Sequence, residues 1–306
     1  LGNKVFSLRV GVVGPREKAC QVLPVFEKTF RKVVYAPFDE VKMEVGRGCK
    51  AFYKTQNLAE LDYVLLLPDG PRKELYYTLA RLLEKQVRVS VRSEALLYFW
   101  NQPLLLRNLS RAGLPIRRTV AVAQDVATNV IEENLKFPVL VNTASNKKVL
   151  VNNPETLKGV LSLFGPGHMM VLQKPVKAEA TEVVFVAGNE VMAYRNEGGK
   201  RKAGNVNEKV RKMALQVKEV LKTDFCSVIF INTGKGYLVS DLALYPNFKL
   251  IQQVTGNDPA VKMATAIGEC IEEKDLSVED LLGKLSKGFV SVARWLSHEI
   301  GNFRSP

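Results

Sequence analysis

Histidine is almost missing from this chain. Only His168 and His298 occur in 306 residues, in unrelated surroundings, too few for a histidine-based metal centre. The four cysteines, Cys20, Cys49, Cys226 and Cys270, stand far apart and form no C-x-x-C pair, so neither a zinc site nor a disulfide framework is signalled. No apolar run approaches the ~18–20 residues that span a bilayer, and the first residues lack the charged, apolar, small-residue order of a secretory signal. A soluble, cytoplasmic protein without membrane contact is expected. Gly11 and Gly14 do not form a G-x-G-x-x-G fingerprint and are given no dinucleotide role.

What the chain does have is a globular balance, with 46% hydrophobic and 25% charged residues, and a length that suits two domains or one with lobes. Lys and Arg number 44 against 31 Asp and Glu, a formal surplus of +13 that suits an acidic partner, RNA or DNA among them, or serves solubility. Part of the surplus is local: between Arg195 and Lys222, nine Lys or Arg face three Glu. Lys200, Arg201, Lys202, Lys209, Arg211 and Lys212 are its candidate anion-binding residues. The other reading is a solvated helix face and loop. With only Tyr194 beside it for stacking, the segment favours phosphate-backbone contacts over base readout.

Val5–Val13 has a buried-strand pattern, Glu17–Phe30 reads as a helix with Val22, Leu23, Val25 and Phe26 apolar, and Tyr63–Leu67 and Val87–Val91 read as strands around a helix at Glu74–Leu83. Strands alternating with helices predict a doubly wound parallel sheet, with ligands at the carboxyl ends of the strands. A helical run from Glu94 stops at Gly113, with Pro115 just beyond. Glu208–Leu221 is an amphipathic helix with Val210, Met213, Ala214, Val217 and Leu221 on one face. Ser227–Ile231 and Tyr237–Val239 form a hairpin closed by Gly-Lys-Gly. Ser277 and Asp280 cap a last amphipathic helix, which packs on its own core or meets a partner.

Taken in order, these segments resemble the ATP-grasp carboxylate–amine ligases of the RimK/LysX type. Leu109, Ala112, Gly113, Pro115 and Thr119 match the family's L-L-x-x-A-G-I-P-x-P-x-T; Phe137–Asn142 is similar to F-P-V-V-V-K; Met169–Val176 looks like the edge strand Q-E-F/Y-I; Val183–Arg195 resembles a hairpin ending in A-Y-R-R; and Phe225–Phe248 lies on G-V-D-L…E-V-N-P-S-P-G-F without a gap. The resemblance covers roughly Val5 to Ile271. It implies an α/β and α+β, ATP-grasp-like fold: an N-terminal α/β domain over 1–93, a small lobe over 94–176, a large lobe over 177–275 and a C-terminal helical extension over 276–306, past the point where compact members usually stop.

The resemblance also implies what stands at the functional positions. Two lysines directed at nucleotide phosphates fall on Gln102 and Asn142, an adenine-contacting Glu falls on Lys174, and the Asp, Glu and Asn that carry magnesium fall on Ile229, Asp241 and Ala243. The Gly-rich flap is replaced by 143–148, TASNKK, where Lys147 and Lys148 can still meet an anion or simply be solvated. Arg201 and Asn205 are counterparts of substrate-loop residues, with insertions. Gln173, Arg195 and Asp241 remain as nucleotide-contacting candidates, and Asp241 also reads as a turn or cap residue. The expectation drawn from these departures is a catalytically degenerate paralogue: no catalytic residues, no metal and no cofactor, acting as a binding, scaffolding or regulatory protein, self-associating or beside an active relative. The alternative is a divergent ATP-dependent carboxylate–amine ligase with a reduced metal site, working through an acyl phosphate.

Overall fold

The strand Phe6–Gly14 (β1) starts with alternating exposure and is buried without a break from Val10 onward, as a strand covered on both faces must be. A computed structural model describes residues 5–46, 48–142, 148–163, 168–204 and 206–272. In it β1 pairs in parallel with Phe30–Pro37 (β2) on one side. After a three-stranded antiparallel insert, Val41–Glu44 (β3), Lys50–Tyr53 (β4) and Gln56–Asn57 (β5), the chain returns as Tyr63–Leu66 (β6) on the other side of β1. Arg88–Val89 (β7) pairs in parallel beyond β6, giving the order β2-β1-β6-β7. The chain thus leaves β1 in one direction and returns in the other, which opens a crevice at the carboxyl ends of β1 and β6. Gly14 belongs to that crevice for steric reasons: a Cβ there would sit 2.6 Å from the Cβ of Leu67.

The expected single helix over Glu17–Phe30 is two short ones, Arg16–Ala19 and Leu23–Thr29. Pro24 lies in the first turn of the second, where its missing N–H is harmless. Phe30 already belongs to β2, because the run Phe30–Tyr35 is rich in aromatic and β-branched residues. The helix Lys73–Leu83 buries Tyr76, Leu79, Ala80 and Leu83 at helical spacing. The run from Glu94 is likewise divided, into Ser93–Trp100 and Gln102–Arg111, by Asn101, whose side chain accepts from the Leu104 N–H at 3.2 Å. It closes at Gly113, in the left-handed conformation, with the Leu114 N–H returning to the Leu109 carbonyl.

Thr119–Ala123 (β8), Val139–Asn142 (β9), Lys148–Val151 (β10) and Met169–Gln173 (β11) make an antiparallel sheet in the order β10-β9-β11-β8. This sheet and its helices fill a core of their own, centred on Ile131, Val139, Val141, Leu157, Met170 and Leu172. Ala180–Ala187 (β12), Glu190–Glu197 (β13), Lys200–Ala203 (β14), Phe225–Asn232 (β15) and Tyr237–Ala243 (β16) make a five-stranded antiparallel sheet, in the order β14-β13-β12-β15-β16. The helix Glu208–Leu221 lies on it through the five apolar residues that its periodicity singles out, all buried.

The five-stranded sheet is not independent of the parallel one. Phe6, Phe26, Phe30 and Tyr63 share one core with Phe185 and Phe225. A helix over 259–272 packs there too, close enough that a Cβ on Gly268 would meet the Phe6 ring at 2.3 Å. The glycine-rich segment after Arg195, read as a basic loop, is instead a hairpin turn at Gly198–Gly199 followed by β14, which pairs with β13. The predicted C-terminal helix at 277–296 lies outside the described residues. Among the described residues no helix is long and apolar enough to cross a membrane.

Candidate active site

The pairing of β15 with β16 slips once. Ile229 faces Asp241 and Phe230 faces Val239, so Ser240 is an extra residue with no partner in the ladder. Such a bulge bends its strand and re-aims the side chains around it. Segment 115–117 runs beside it: the Val239 N–H bonds to the Pro115 carbonyl at 2.8 Å and Ile116 bridges Val239 in parallel. That contact carries Arg117 to the bulge, where its Nη2 donates to Ser240 Oγ at 3.3 Å. From the other sheet, Lys148 at the start of β10 donates through Nζ to the Ser240 carbonyl at 3.0 Å and to Asp241 Oδ2 at 3.2 Å. Two cations, one carboxylate and a backbone carbonyl therefore meet between the four-stranded and five-stranded antiparallel sheets.

Their environments differ. Arg117 is 9% exposed, and its Nε is buried without a hydrogen-bond partner among the described residues. Burial lowers its pKa, with Asp241 the opposing influence. The Asp241 side chain is half exposed and also accepts from the Leu242 N–H. Beside Lys148 in the ladder stands Asn142, whose amide donates to Gln102 Oε1. The two positions where the family pattern has lysines are thus occupied by amides bonded to each other, and the cation sits one strand away.

The remaining sequence candidates fall elsewhere. Gln173 ends β11, is 2% exposed, and donates to Thr119 Oγ1 at 3.0 Å. Lys174 turns away to the carbonyls of Lys136 and Pro138, so it ties down the start of β9. Arg195 lies on β13, three strands from β16 and so about 14 Å across the sheet from it at ordinary strand spacing. It pairs with Glu182 and Lys202 across the sheet and makes an ion pair with Glu197 at 3.5 Å. Lys200, Arg201 and Lys202 are exposed on β14, at the opposite edge of the sheet from Asp241. Lys209 is exposed, Arg211 donates to the Asn189 carbonyl, and Lys212 faces Glu208 at 4.0 Å. These six cations do not converge on Asp241. Asn205 and Lys147 lie outside the described residues.

Sequence reasoning missed Arg117 and Ser240. Arg117 had a signal, since it stands where the pattern A-G-I-P-x-P-x-T has its second proline. The bulge had none.

Magnesium is taken up by one or two carboxylates, several waters and substrate phosphates. Ile229 is half-buried opposite Asp241, and Ala243 is exposed opposite Ser227, so Asp241 is the one acidic side chain at the three family positions. Among the described residues no group of three or more His, Cys, Asp or Glu is placed to hold a metal by itself. A carboxylate with an open half-exposed face, next to two cations, fits a metal that arrives with a triphosphate. Two residues beyond Asp241 a cavity of about 870 Å³ opens at the carboxyl ends of β1 and β6, lined among others by Lys18, Lys73, Trp100, Ala243, Tyr245 and Asn247.

Known proteins share parts of this sequence and its fold. The RimK-like ATP-grasp domain matches residues 102–267. A probable alpha-L-glutamate ligase of Haemophilus influenzae is 22% identical over 178 residues, 52% of this chain and 59% of the relative. One from an Enterobacter species is 24% identical over 183 residues, 53% and 61% of the two chains. The chain thus matches about three fifths of the length of these curated relatives. Among solved structures, the RimK domain protein ATP-grasp of Sphaerobacter thermophilus superposes with a TM-score of 0.68 at 18% identity, over 84% of this chain and 98% of that one. The ATP-grasp ligase PsnB complexed with minimal precursor, Mg and ADP gives 0.67 at 15%, over 86% and 98%.

These findings correct the expectation of a cofactor-free, catalytically degenerate paralogue that is not an enzyme. The relatives are named as ligases, and PsnB holds ADP and Mg in one structure and AMPPNP in another. The expectation rested on the loss of charge at 102 and 142, but Arg117 and Lys148 stand close to Asp241 in the structure. With the family's domain matched over more than half of this chain, the chain belongs to the RimK-like ATP-grasp family.

Proposed function

We propose that this protein is an ATP-dependent carboxylate–amine ligase with a reduced metal site. The observation that carries the reading is the cluster of Arg117, Lys148, Ser240 and Asp241 at the junction of the two antiparallel sheets, inside the matched domain. Magnesium, when bound, offsets charge on the transferring phosphoryl group, and Asp241 is the side chain that would hold it with the phosphates. Arg117 and Lys148 add fixed positive charge, which acts strongly where water is excluded. The cavity beyond Ala243 would hold the acid substrate next to the phosphate site.

The reaction balances as follows. A substrate carboxylate oxygen attacks the γ-phosphorus of ATP and ADP leaves; an amine then attacks the acyl carbon and inorganic phosphate leaves. One amide, one ADP and one phosphate are formed. The relatives' names make glutamate the first amine to try, and the chain's formal surplus of +13 suits acidic substrates. The test is ADP and phosphate release in the presence of Mg-ATP, glutamate and a panel of carboxylic acids and acidic peptides. Release that requires both organic substrates, with an amide product of matching mass, is expected. No release above the substrate-free rate with any pair, together with no saturable ATP binding, defeats the proposal.

A further inference from the structure

We infer that Arg117 and Lys148 are the phosphate-binding cations of this chain's nucleotide site, taking over from positions 102 and 142. The inference rests on the ligase reading and deepens it by assigning residues that the family pattern does not assign.

Three observations carry it. First, Arg117 is a buried guanidinium with one neutral partner, Ser240 Oγ, and an Nε that has none among the described residues. Asp241, the carboxylate that acts on it, is already engaged by Lys148 and the Leu242 N–H. A guanidinium taken out of water without a paired anion is costly, and its planar fork matches a phosphate in two-point geometry. Second, Lys148 is the ladder partner of Asn142. In an antiparallel pair, directly opposed residues project from the same face ~5 Å apart, so Lys148 covers the region that a lysine at 142 would cover. Third, the Asn142 amide donates to Gln102 Oε1, so the two positions where the family pattern has lysines hold each other in place and carry no charge of their own toward an incoming anion. Among the described residues Lys148 is held by one backbone carbonyl and one half-exposed carboxylate, and its side chain is 20% exposed. Its ammonium can turn to a phosphate while staying beside Asp241.

The test is equilibrium titration of the full chain with ATP, with inorganic tripolyphosphate and with adenosine, each without magnesium. It compares the wild type with Lys148→Met, Arg117→Met and the double variant Asn142→Lys/Lys148→Met. Removing a charge-assisted hydrogen bond to phosphate is expected to weaken ATP and tripolyphosphate binding by about tenfold or more and to leave adenosine unchanged. The double variant is expected to recover most of the loss, because the restored cation reaches the same face. Melting curves establish that each variant is folded; if Arg117→Met does not fold, Lys148→Met and its rescue decide the matter. ATP binding by the wild type that stays within about twofold in Lys148→Met overturns the inference and leaves the ligase reading standing. A wild type that binds no ATP overturns both.

Discussion

The Arg88 guanidinium meets the Asp224 carboxylate at 2.7 Å across the seam between the parallel sheet and the five-stranded sheet, and the Tyr63 hydroxyl donates to the same carboxylate at 2.8 Å. The neighbouring Thr223 hydroxyl and Asp224 N–H both bond to the Ser90 carbonyl, so the seam is a small polar network between two sheets that share one apolar core. Asp224→Ala strands a guanidinium and a buried phenol at once. It is expected to lower stability by roughly 2 kcal/mol, less than for a fully dry pair because Arg88 and Asp224 are each about a quarter exposed. Urea denaturation of the Arg88→Ala, Asp224→Ala cycle measures this, and a coupling near zero would assign the effect to packing alone.

Asp241 is expected to link nucleotide to metal. In Asp241→Asn the magnesium-dependent part of the thermal shift by ATP should fall away, while the shift by metal-free ATP stays or grows as Lys148 loses its tether. Melting curves with and without magnesium give both quantities. An unchanged magnesium effect would place the metal elsewhere.

Burial pushes the Cys226 thiol up to about 12 from its ordinary value of 9.0. The folded state therefore holds this proton more tightly than the unfolded chain does. Its contribution is complete below about pH 9 and is lost as pH rises toward about 12, at up to ~1.4 kcal/mol per pH unit. Tyr63 and Tyr76, raised chiefly by burial, extend the loss to higher pH. Unfolding free energies from pH 8 to 11 should fall more gently in Cys226→Ala than in the wild type, and parallel curves would refute the assignment.

The helix over 259–272 touches the parallel sheet where Gly268 lies against the Phe6 ring. Gly268→Ala is expected to cost roughly 1–3 kcal/mol by overpacking, in spite of alanine's better helix propensity. The penalty should shrink in a Phe6→Leu background. Equal penalties in both backgrounds would show that the ring is not the obstacle.

Much of this architecture is written in local periodicity. The five buried residues of the helix Glu208–Leu221, the hairpin around Gly234 and the helix stop at Gly113 follow from spacing and backbone chemistry that neighbouring residues determine. β2 was hidden because Phe30 also suits the end of a helix, and only pairing with β1 decides between helix and strand. β14 was hidden because a Gly-Gly turn followed by three cations looks like a solvated loop until β13 supplies a partner. Of the candidate cluster, the sequence pointed to Asp241 and Lys148 but not to Arg117 or Ser240. Motif positions report where a relative keeps its charges, whereas Lys148 enters from across a ladder and Arg117 from a segment bonded to β16, relationships that exist only in three dimensions.

The separate core of the sheet formed by β8 to β11 has a mechanical consequence. Among the described residues it contributes no side chain to the apolar cluster that joins the parallel and five-stranded sheets, and it meets the rest of the chain at the cleft through pairs such as Lys148–Asp241 and Asn142–Gln102. Tilting it away would break polar pairs that water can replace and would leave the apolar cluster shared by the parallel and five-stranded sheets covered. Hydrogen exchange should therefore be quenched across this one sheet when a ligand is enclosed beneath it, with the fused block below unchanged.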